Sequence, residues 1–353
     1  MVFTDLRLQQ YRSYGDSSFE LGPGVNIVVG PNAAGKTNLL EAIMVGSVGK
    51  SYRARDISLV QNNKDWARID IHTSENVLRT VKLQTNSSGK LQKSFEINEK
   101  VYKRLPLVQR QPIVLFEPND LQFIESEPSL RRNYFDDIIE QYTSGYEKNR
   151  SQYKRVIAQR NALLKQGGNI DSHMFAWNLR LVDLGEKLVA ERLKLLENIN
   201  KKLSETYSII AGHKTQVNIS YESSISMEDY GTKLLKKLES SQDLDIQRGF
   251  TSNGPHRDEL LVSIDSKPAL QSASRGEIRT LLLSLKIIEL QVLENERGIQ
   301  PLLLLDDVFS ELDGSRRRAL TEFLKDYQTI ITTTDADAVI QSFTRDTTII
   351  PIS

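Results

Sequence analysis

Hydrophobic and polar positions divide the chain into strand-rich ends and a helical middle. In the first part, strand character is typical of the segments 3–10, 18–21, 25–29, 67–73, 77–84 and 94–97. Turns are predicted at Tyr14-Gly15-Asp16, at Gly22-Pro23-Gly24 and at 86–89. A helix opens over 39–45, directly after a glycine-rich segment. This pattern predicts strands followed by a buried strand, a loop and a helix.

The middle of the chain lacks runs of strand formers. From about 130 to 210 its composition is helical, and the interruption at 166–169 predicts a hairpin of two long helices. Gly212 predicts the end of the second helix.

The last part alternates again between strands and helices. Helices are predicted near 276–296 and 315–326, with strands at 302–305 and 329–333. We therefore expect an α/β fold, a mixed sheet with an inserted α-helical lobe. The predicted boundaries are 1–110 and 246–353 for the α/β lobe, and 111–245 for the helical lobe with its hairpin at about 130–210.

Composition indicates where the protein is expected to work in the cell more than which reaction it carries out. Hydrophobic residues make up 39% and charged residues 26%, as in ordinary globular proteins. The chain has no cysteine, which excludes disulfides and thiolate metal sites and fits a cytoplasmic protein. Its apolar runs are too short to cross a bilayer, and Met1 to Gln10 has no apolar core of a secretory signal, so we expect no membrane association.

The segment after the buried strand 25–29 matches the pattern G-x-x-x-x-G-K-[ST]. Its glycines let the backbone wrap closely around phosphate, and the amides of the helix start present positive partial charge. Lysine at this position reaches the outer phosphates, and the hydroxyl that follows holds magnesium. The segment predicts binding of ATP and Mg²⁺ by Gly30, Pro31, Asn32, Ala33, Ala34, Gly35, Lys36 and Thr37.

The strand 302–305 ends in two acids, which is the Walker B arrangement. Asp306 is predicted to bind the magnesium shell, and Asp307 to hold the attacking water as a catalytic residue beside Lys36.

A third motif opens the helix before this strand. Ser274, Arg275, Gly276 and Glu277 form a capping box, in which serine caps the helix and glutamate occupies the third position. The same geometry suits a phosphate contact, because a serine and a glycine amide at a helix start form an anion site. The two interpretations are compatible.

Together these motifs resemble the cassette ATPases of the SMC and RecF group. The resemblance makes 274–277 a signature motif that acts in trans, across a dimer interface, on the nucleotide of a second copy. It makes Ser310 to Asp313 the D-loop, and it places Arg12, in an aromatic-Arg element at 8–14, near the ATP.

Three further stretches narrow the resemblance to the RecF family. They are the P-loop helix 35–43, the elements F-E-P-N-D-L at 116–121 and R-R-N-Y-F-D at 131–136, and T-S-N-G-P-H-R-D at 251–258. The last also reads as an Asn-Gly-Pro turn that leads into a strand at 260–264. The resemblance covers nearly the whole chain.

The resemblance implies a cytoplasmic DNA-repair ATPase. Such a protein dimerises with ATP, binds double-stranded DNA or junctions of single- and double-stranded DNA, and works with RecO and RecR to place RecA on gapped DNA. Equal numbers of basic and acidic residues, 46 each, leave only local basic faces for DNA. The candidates are Arg131, Arg132, Arg150, Lys154 and Arg155, for which solvated or structural roles remain open.

Some positions depart from the broader cassette pattern. Asp307 stands where most cassettes have glutamate, as it does in RecF-like sequences, and its shorter side chain predicts slow hydrolysis. No switch histidine follows the strand 329–333, and no Q-loop glutamine is evident, although Gln111 lies nearby.

Three alternatives remain open at this stage. A transporter ATPase subunit would need a membrane partner, and an SMC-type structural protein would need longer arms than a hairpin of this length. A small-molecule P-loop kinase would have its Walker B strand much sooner after Lys36.

Overall fold

A computed structural model describes residues 1–122, 127–166, 171–309, 312–340 and 347–353. These residues form two compact units. Unit 1 contains 1–121, 209–212 and 279–353, and unit 2 contains 122–208 and 213–278. Residues 111–121, assigned from the sequence to the helical lobe, therefore lie in unit 1, and 246–278 lie in unit 2. The first difference arises because a strand at 113–116 pairs with the strand at 302–306.

The described strands are β1 Phe3–Tyr11, β2 Tyr14–Glu20, β3 Val25–Val29, β4 Trp66–Thr73, β5 Leu78–Thr85, β6 Leu91–Ile97, β7 Lys100–Tyr102, β8 Ile113–Phe116, β9 Val217–Glu222, β10 Glu259–Ile264, β11 Lys267–Pro268, β12 Leu302–Asp306, β13 Thr329–Thr333 and β14 Thr347–Pro351. The described α-helices are α1 Lys36–Val48, α2 Pro128–Ile139, α3 Tyr146–Gln166, α4 Asp171–Ala211, α5 Tyr230–Ser240, α6 Gln242–Arg248, α7 Ala269–Ser272, α8 Arg275–Arg297, α9 Gly314–Phe323 and α10 Ala336–Ile340. None of these helices is long and apolar enough to cross a membrane.

A parallel sheet of unit 1 carries the predicted site. Its strand order is β14-β3-β13-β12-β8, and each neighbouring pair is parallel. The strands β12 and β13 are buried along their whole length, as expected for parallel strands covered on both faces. Since all these strands run the same way, the loop after β3 and the acids at the end of β12 lie at one edge.

A second sheet of unit 1 is antiparallel, in the order β2-β1-β4-β5-β6-β7. Helix α1 contacts strands of both sheets, and its Leu39, Leu40 and Ile43 are fully buried. Gly46 allows the close approach, because a Cβ there would lie 2.3 Å from Cδ1 of Ile71. Burial of α1 fixes the direction in which the preceding loop faces.

The turn predicted at Tyr14-Gly15-Asp16 is wrong, since these residues begin β2. The chain reverses one step earlier, at Arg12, which has a φ of 53°. Asp16 pairs across the strands with Arg7 at 2.8 Å, which holds it in the sheet.

Unit 2 holds helices α2, α3, α5, α6 and α7, α4 up to residue 208, and the small antiparallel sheet β11-β10-β9. The long hairpin consists of α3 and α4, so it begins at Tyr146 rather than near 130, and α2 is a separate helix. The predicted interruption at 166–169 lies largely outside the described residues. Helix α4 ends at Ala211, and Gly212 follows with a φ of 76°, as predicted. The described residues thus form an α/β fold with an inserted helical unit, as the sequence predicts.

Candidate nucleotide-binding site

The loop between β3 and α1 has the shape of a phosphate cradle. Gly35 has a φ of 104°, and a Cβ there would lie 2.8 Å from Oγ of Ser13, so only glycine fits without strain. The Tyr14 hydroxyl donates to the Gly35 carbonyl oxygen at 3.0 Å. Ala33 also adopts a left-handed conformation, with a φ of 68°. The loop is thus held in a tight form at the start of α1, where free amides favour an anion.

Lys36 lies under this loop. Its Nζ donates to the carbonyl oxygens of Gly30 at 2.9 Å and Pro31 at 3.2 Å, and the side chain is buried. An ammonium has three donors, so this arrangement orients the third. The side chain lines an open cleft of about 210 Å³ together with Asn32, Ala33, Gly35, Thr37, Asn38, Arg53 and Asp307.

The two acids at the end of β12 are held by different contacts. The Thr37 hydroxyl lies 3.1 Å from Oδ1 of Asp306. The Thr332 hydroxyl of β13 donates to the same oxygen at 2.8 Å and accepts the Asp307 amide at 2.9 Å. Thr332, which the sequence analysis missed, therefore positions both acids.

Asp307 leaves the strand with a φ of 53°. Burial raises the pKa of its carboxyl, the negative charge of Asp306 raises it further, and the ammonium of Lys36 opposes both effects. A carboxylate whose charge is disfavoured before any ligand binds is typical of functional sites.

The donor set fits Mg²⁺. Thr37 and Asp306 supply the oxygen atoms that this hard cation prefers. The Tyr52 hydroxyl is buried and has no hydrogen-bond partner in the described part of the chain. Burial raises its pKa, and the charge of Asp306 adds to that effect. A buried hydroxyl without a partner suits a site that completes its contacts with bound water.

Arg12 lies near this site but is paired with an acid of α1. Its guanidinium donates to both carboxylate oxygens of Glu41, at 2.8 and 2.9 Å. Ser51 and Arg53 donate to the same carboxylate, at 2.6 and 3.2 Å. Arg53 lines the cleft, whereas Arg12 does not appear in its lining. The sequence analysis singled out Arg12 and missed Arg53, which no motif marked.

The predicted signature residues lie at the start of α8, in unit 2. The backbone N–H of Ser274 donates to the Glu277 carboxylate at 2.7 Å, and the Glu277 amide donates to the Ser274 hydroxyl at 3.3 Å. The predicted capping box is therefore formed. Ser274 and Arg275 are exposed, and Gly276 and Glu277 are half-buried. The backbone N–H and hydroxyl of Ser274 hold the pKa of Glu277 below its usual value.

Of the predicted D-loop, Ser310 lies outside the described residues. Asp313 caps α9 by accepting the Arg316 amide at 3.0 Å, and the Ser315 hydroxyl donates to it at 2.7 Å. These hydrogen bonds lower the pKa of Asp313 to about 2.

The five basic residues proposed for DNA have different surroundings. Arg131 pairs with Glu259 at 3.0 Å and is buried, and Arg132 donates to the Asp258 carbonyl oxygen at 2.6 Å. Arg150 is buried, and its Nη1 lies 2.8 Å from a carboxylate oxygen of both Asp137 and Glu140. The two that remain exposed are Lys154 and Arg155.

The segment 251–258 forms a buried junction within unit 2. A hydrogen bond of 2.8 Å joins Nδ1 of His256 to the Tyr153 hydroxyl. Burial lowers the pKa of His256 to about 4. The Pro255 carbonyl accepts from Arg192 at 2.7 Å. Gly254 has a φ of 122°, and its carbonyl accepts the Arg257 amide, so the predicted turn is present. Hydrogen bonds therefore join this motif to α3 and α4.

Comparison with known proteins agrees with these features. The family model described as RecF/RecN/SMC N terminal domain matches residues 2–349. The chain is 34% identical over 339 residues to the DNA replication and repair protein RecF of Clostridium perfringens, covering 95% of this chain and 93% of the relative. It is 35% identical over 350 residues to the RecF protein of Streptococcus uberis, covering 96% and 95%.

Solved structures give the same result. The recombination mediator protein RecF-ATPrS in the RecFOR pathway has a TM-score of 0.86 at 29% identity, covering 96% of this chain and 93% of that one. An Smc head bound to the C-winged helix domain of ScpA has a TM-score of 0.59 at 16% identity, covering 100% and 94%, and shares the fold.

Proposed function

The chain belongs to the RecF family, and on that premise we propose that it is an ATP-dependent DNA-binding protein of replication and repair. The observation that carries the nucleotide part is the contact of 3.1 Å between the Thr37 hydroxyl and Asp306, beside the cleft lined by Lys36. A P-loop and a Walker B strand meet there with the donors that a nucleotide and its cation need.

In this proposal each residue has a defined role. The amides of 30–37 and the ammonium of Lys36 hold the phosphates, Thr37 and Asp306 hold Mg²⁺, and Asp307 holds the attacking water. Bound Mg²⁺ would neutralise charge on the phosphate oxygens. When water attacks, its oxygen bonds to the γ-phosphorus as the bond to the ADP oxygen breaks.

We propose that hydrolysis is slow and serves as a switch. Asp307 is one methylene shorter than glutamate, and its backbone is fixed by Thr332, so its carboxylate reaches less far into the cleft. The enzyme is thus a weak ATPase rather than a metabolic enzyme.

Ser274 to Glu277 would complete the site of a second copy, so that ATP stabilises a homodimer and hydrolysis releases it. The exposure of Ser274 and Arg275 supports this role. The dimer would bind double-stranded DNA or junctions with single strands through phosphates. It would act in the cytoplasm with RecO and RecR, aiding RecA loading at gaps.

The test measures DNA binding and oligomeric state with and without ATP, for the wild type, Lys36→Met and Ser274→Arg. We expect ATP to convert the wild type to a dimer with higher DNA affinity. Both variants should remain monomeric, and Ser274→Arg should still bind ATP, because its P-loop is intact.

Lys64→Met is the control, since Lys64 is exposed and outside the cleft. Normal dimerisation of Ser274→Arg would refute the role of 274–277. A wild type that neither binds ATP nor changes its DNA affinity would refute the whole proposal.

A further inference from the structure

A pocket of about 340 Å³ lies within unit 2, between helices α2, α3 and α4. Four residues of α2, starting at Ser129, and four of α3, starting at Arg150, line it at the spacing i, i+3, i+4 and i+7. Residues at this spacing share one face of a helix. Arg192 of α4 and His256 of the segment 251–258 also line the pocket. The pocket is therefore built from side chains on several fixed elements of one unit.

The side chains that line this pocket are unbalanced in charge. Four of them are cations and one is an acid. The acid is Asp136, and the cations are Arg132, Arg150, Lys154 and Arg192. Like charges that share a partly buried space disfavour one another unless an anion offsets them.

Two of these cations are neutralised by acids of unit 2. Arg192 donates to the two carboxylate oxygens of Asp136 at 2.8 and 2.9 Å. Arg150 lies 3.1 Å from the same carboxylate, and its Nη1 lies 2.8 Å from both Asp137 and Glu140. These two guanidinium groups are buried and need no ligand to satisfy their charge.

The other two cations have no acid as a partner. Arg132 is half-buried and donates to a neutral group, the Asp258 carbonyl oxygen, at 2.6 Å. Neither Arg132 nor Lys154 forms an ion pair within the part of the chain that the structure describes. Partial burial lowers the pKa of both side chains, and the charges of Arg192 and Arg150 lower them further. An anion in the pocket would stabilise both cations.

Neutral donors lie beside these cations. Oδ1 of Asn133 accepts from Nη2 of Arg150 at 2.7 Å, so the amide N–H groups of Asn133 point away from Arg150. Ser129 belongs to the first turn of α2, where the helix carries positive partial charge. A guanidinium, an ammonium and an amide on two helices suit the several oxygens of a phosphate better than the two of a planar carboxylate.

We propose that this pocket of unit 2 binds a phosphate group, with Arg132 and Lys154 as its charged contacts and Asn133 as a neutral donor. It shares no residue with the phosphate loop 30–37. The phosphate belongs either to DNA or to a small phosphorylated molecule, since both present the same oxygens. The first source rests on the proposed function, and the second does not.

His256 provides a reporter inside the pocket. Its Nδ1 is engaged with the Tyr153 hydroxyl at 2.8 Å and its Nε2 with the Thr251 carbonyl oxygen at 3.2 Å. Burial lowers the pKa of His256 to about 4, so the ring is neutral at pH 7.5 and stays neutral when an anion binds. Its NMR signal then responds to the charge of a bound anion. The chain has four histidines, so replacing the other three one at a time assigns this signal.

The test titrates the full chain, with ¹³C-labelled histidine, with inorganic phosphate at pH 7.5 and with chloride at matched ionic strength. We expect phosphate, and not chloride, to move the His256 signal to saturation. Lys154→Gln should weaken phosphate binding about tenfold, because a charge-assisted hydrogen bond is lost. Its unfolding temperature should equal that of the wild type, because Lys154 is exposed.

Two control variants make the result specific. Lys148→Gln removes an exposed cation from the same helix outside the pocket, and it should titrate as the wild type does. Lys36→Met alters the phosphate loop, and it should leave the movement of the His256 signal unchanged. The proposal is overturned if phosphate does not move the signal, if chloride moves it equally, if Lys154→Gln and Lys148→Gln weaken binding equally, or if Lys36→Met abolishes the movement.

A second titration, with a short DNA duplex and ATP, identifies the source of the phosphate. If DNA moves the His256 signal in the wild type and less in Lys154→Gln, the pocket binds a phosphate of DNA. If DNA binds without moving the signal that inorganic phosphate moves, the pocket serves a small phosphorylated molecule. If DNA does not bind at all, the proposed function fails, and the titration with inorganic phosphate still decides whether the pocket is a phosphate site.

Discussion

Backbone conformation at a single residue sets the shape of the phosphate loop. Gly35 combines a φ of 104° with a close approach to Ser13. We expect Gly35→Ala to lower the free energy of unfolding by about 1–3 kcal/mol, because alanine would be strained and its Cβ would contact Ser13. Urea denaturation measures this change.

Gly89 serves as a control that separates backbone strain from the contact with Ser13. Gly89 has a φ of 73°, but a Cβ there would meet no atom within 4 Å. Gly89→Ala should therefore lower the free energy of unfolding by only about 1 kcal/mol. Equal losses for the two variants would contradict the contact with Ser13.

The carboxyl of Asp307 illustrates a conflict between stability and function at one residue. Its pKa is raised, mainly by burial. A carboxyl with a raised pKa stabilises the fold at pH values below the ordinary aspartate pKa of about 3.9. That contribution is lost as the pH rises through the pKa of the folded state. We expect Asp307→Asn to unfold at a higher temperature than the wild type at neutral pH, while hydrolysis falls about 100-fold.

The pH dependence of this difference tests the cause. As pH is lowered through the raised pKa, the wild-type carboxyl becomes protonated and resembles the amide, so the gap in unfolding temperature should narrow. A gap that widens on acidification would contradict the assigned direction of the shift. Retention of ATP binding by Asp307→Asn shows that the loss concerns hydrolysis.

At the scale of elements, unit 2 is fixed by an ion pair between α3 and α6. Arg160 and Asp245 are fully buried and lie 2.8 Å apart, and Arg160 also donates to Asn178 and Thr251. Removing one partner leaves a buried charge, so Asp245→Leu should cost about 3–5 kcal/mol of unfolding free energy. The double variant Arg160→Met with Asp245→Leu should cost less than the sum of the two single variants.

An exposed pair in the same unit is the control. Arg180 and Asp183 lie 2.7 Å apart on α4, with side chains 48% and 41% exposed. Loss of this ion pair in Asp183→Asn should lower the free energy of unfolding by less than about 1 kcal/mol. Additive losses at Arg160 and Asp245 would indicate that the buried pair does not couple α3 to α6.

The elements also show what the sequence can predict. Strands β3 and β13 match their predicted bounds, because continuous burial on both faces produces unbroken apolar runs. Strand β9 was not predicted, although its apolar Val217 and Ile219 alternate with polar residues, because it is short and lies between helices. Lys36, Thr37 and Asp306 are recognisable because local motifs carry their chemistry.

Other residues reach the site because of the order of the strands in the sheet or because of tertiary packing. Thr332 reaches Asp306 only because β13 lies beside β12, and no local pattern encodes that order. Arg53 reaches the cleft through Glu41 and Asn38 of α1, a contact that depends on tertiary packing. These are the residues that sequence reasoning missed.

At the scale of the whole molecule, charge balance limits how the proposed binding of DNA could occur. Basic and acidic residues number 46 each, so attraction to phosphates must come from local groups. Since Arg131 and Arg150 are engaged in buried ion pairs, exposed Lys154 and Arg155 on α3 are the stronger candidates. Each phosphate contact contributes about 0.9 to the slope of log affinity against log salt concentration.

We therefore expect Lys154→Gln with Arg155→Gln to reduce the magnitude of that slope by about two for double-stranded DNA, and to weaken binding to the same extent for every sequence. The measurement is fluorescence anisotropy with ATP across a series of salt concentrations. Lys236→Gln with Lys237→Gln is the control, because it removes two exposed cations from α5 of the same unit. If both double variants reduce the slope equally, the effect reflects net charge. If neither does, DNA is bound by another face, and the dimer must supply the contacts that α3 does not.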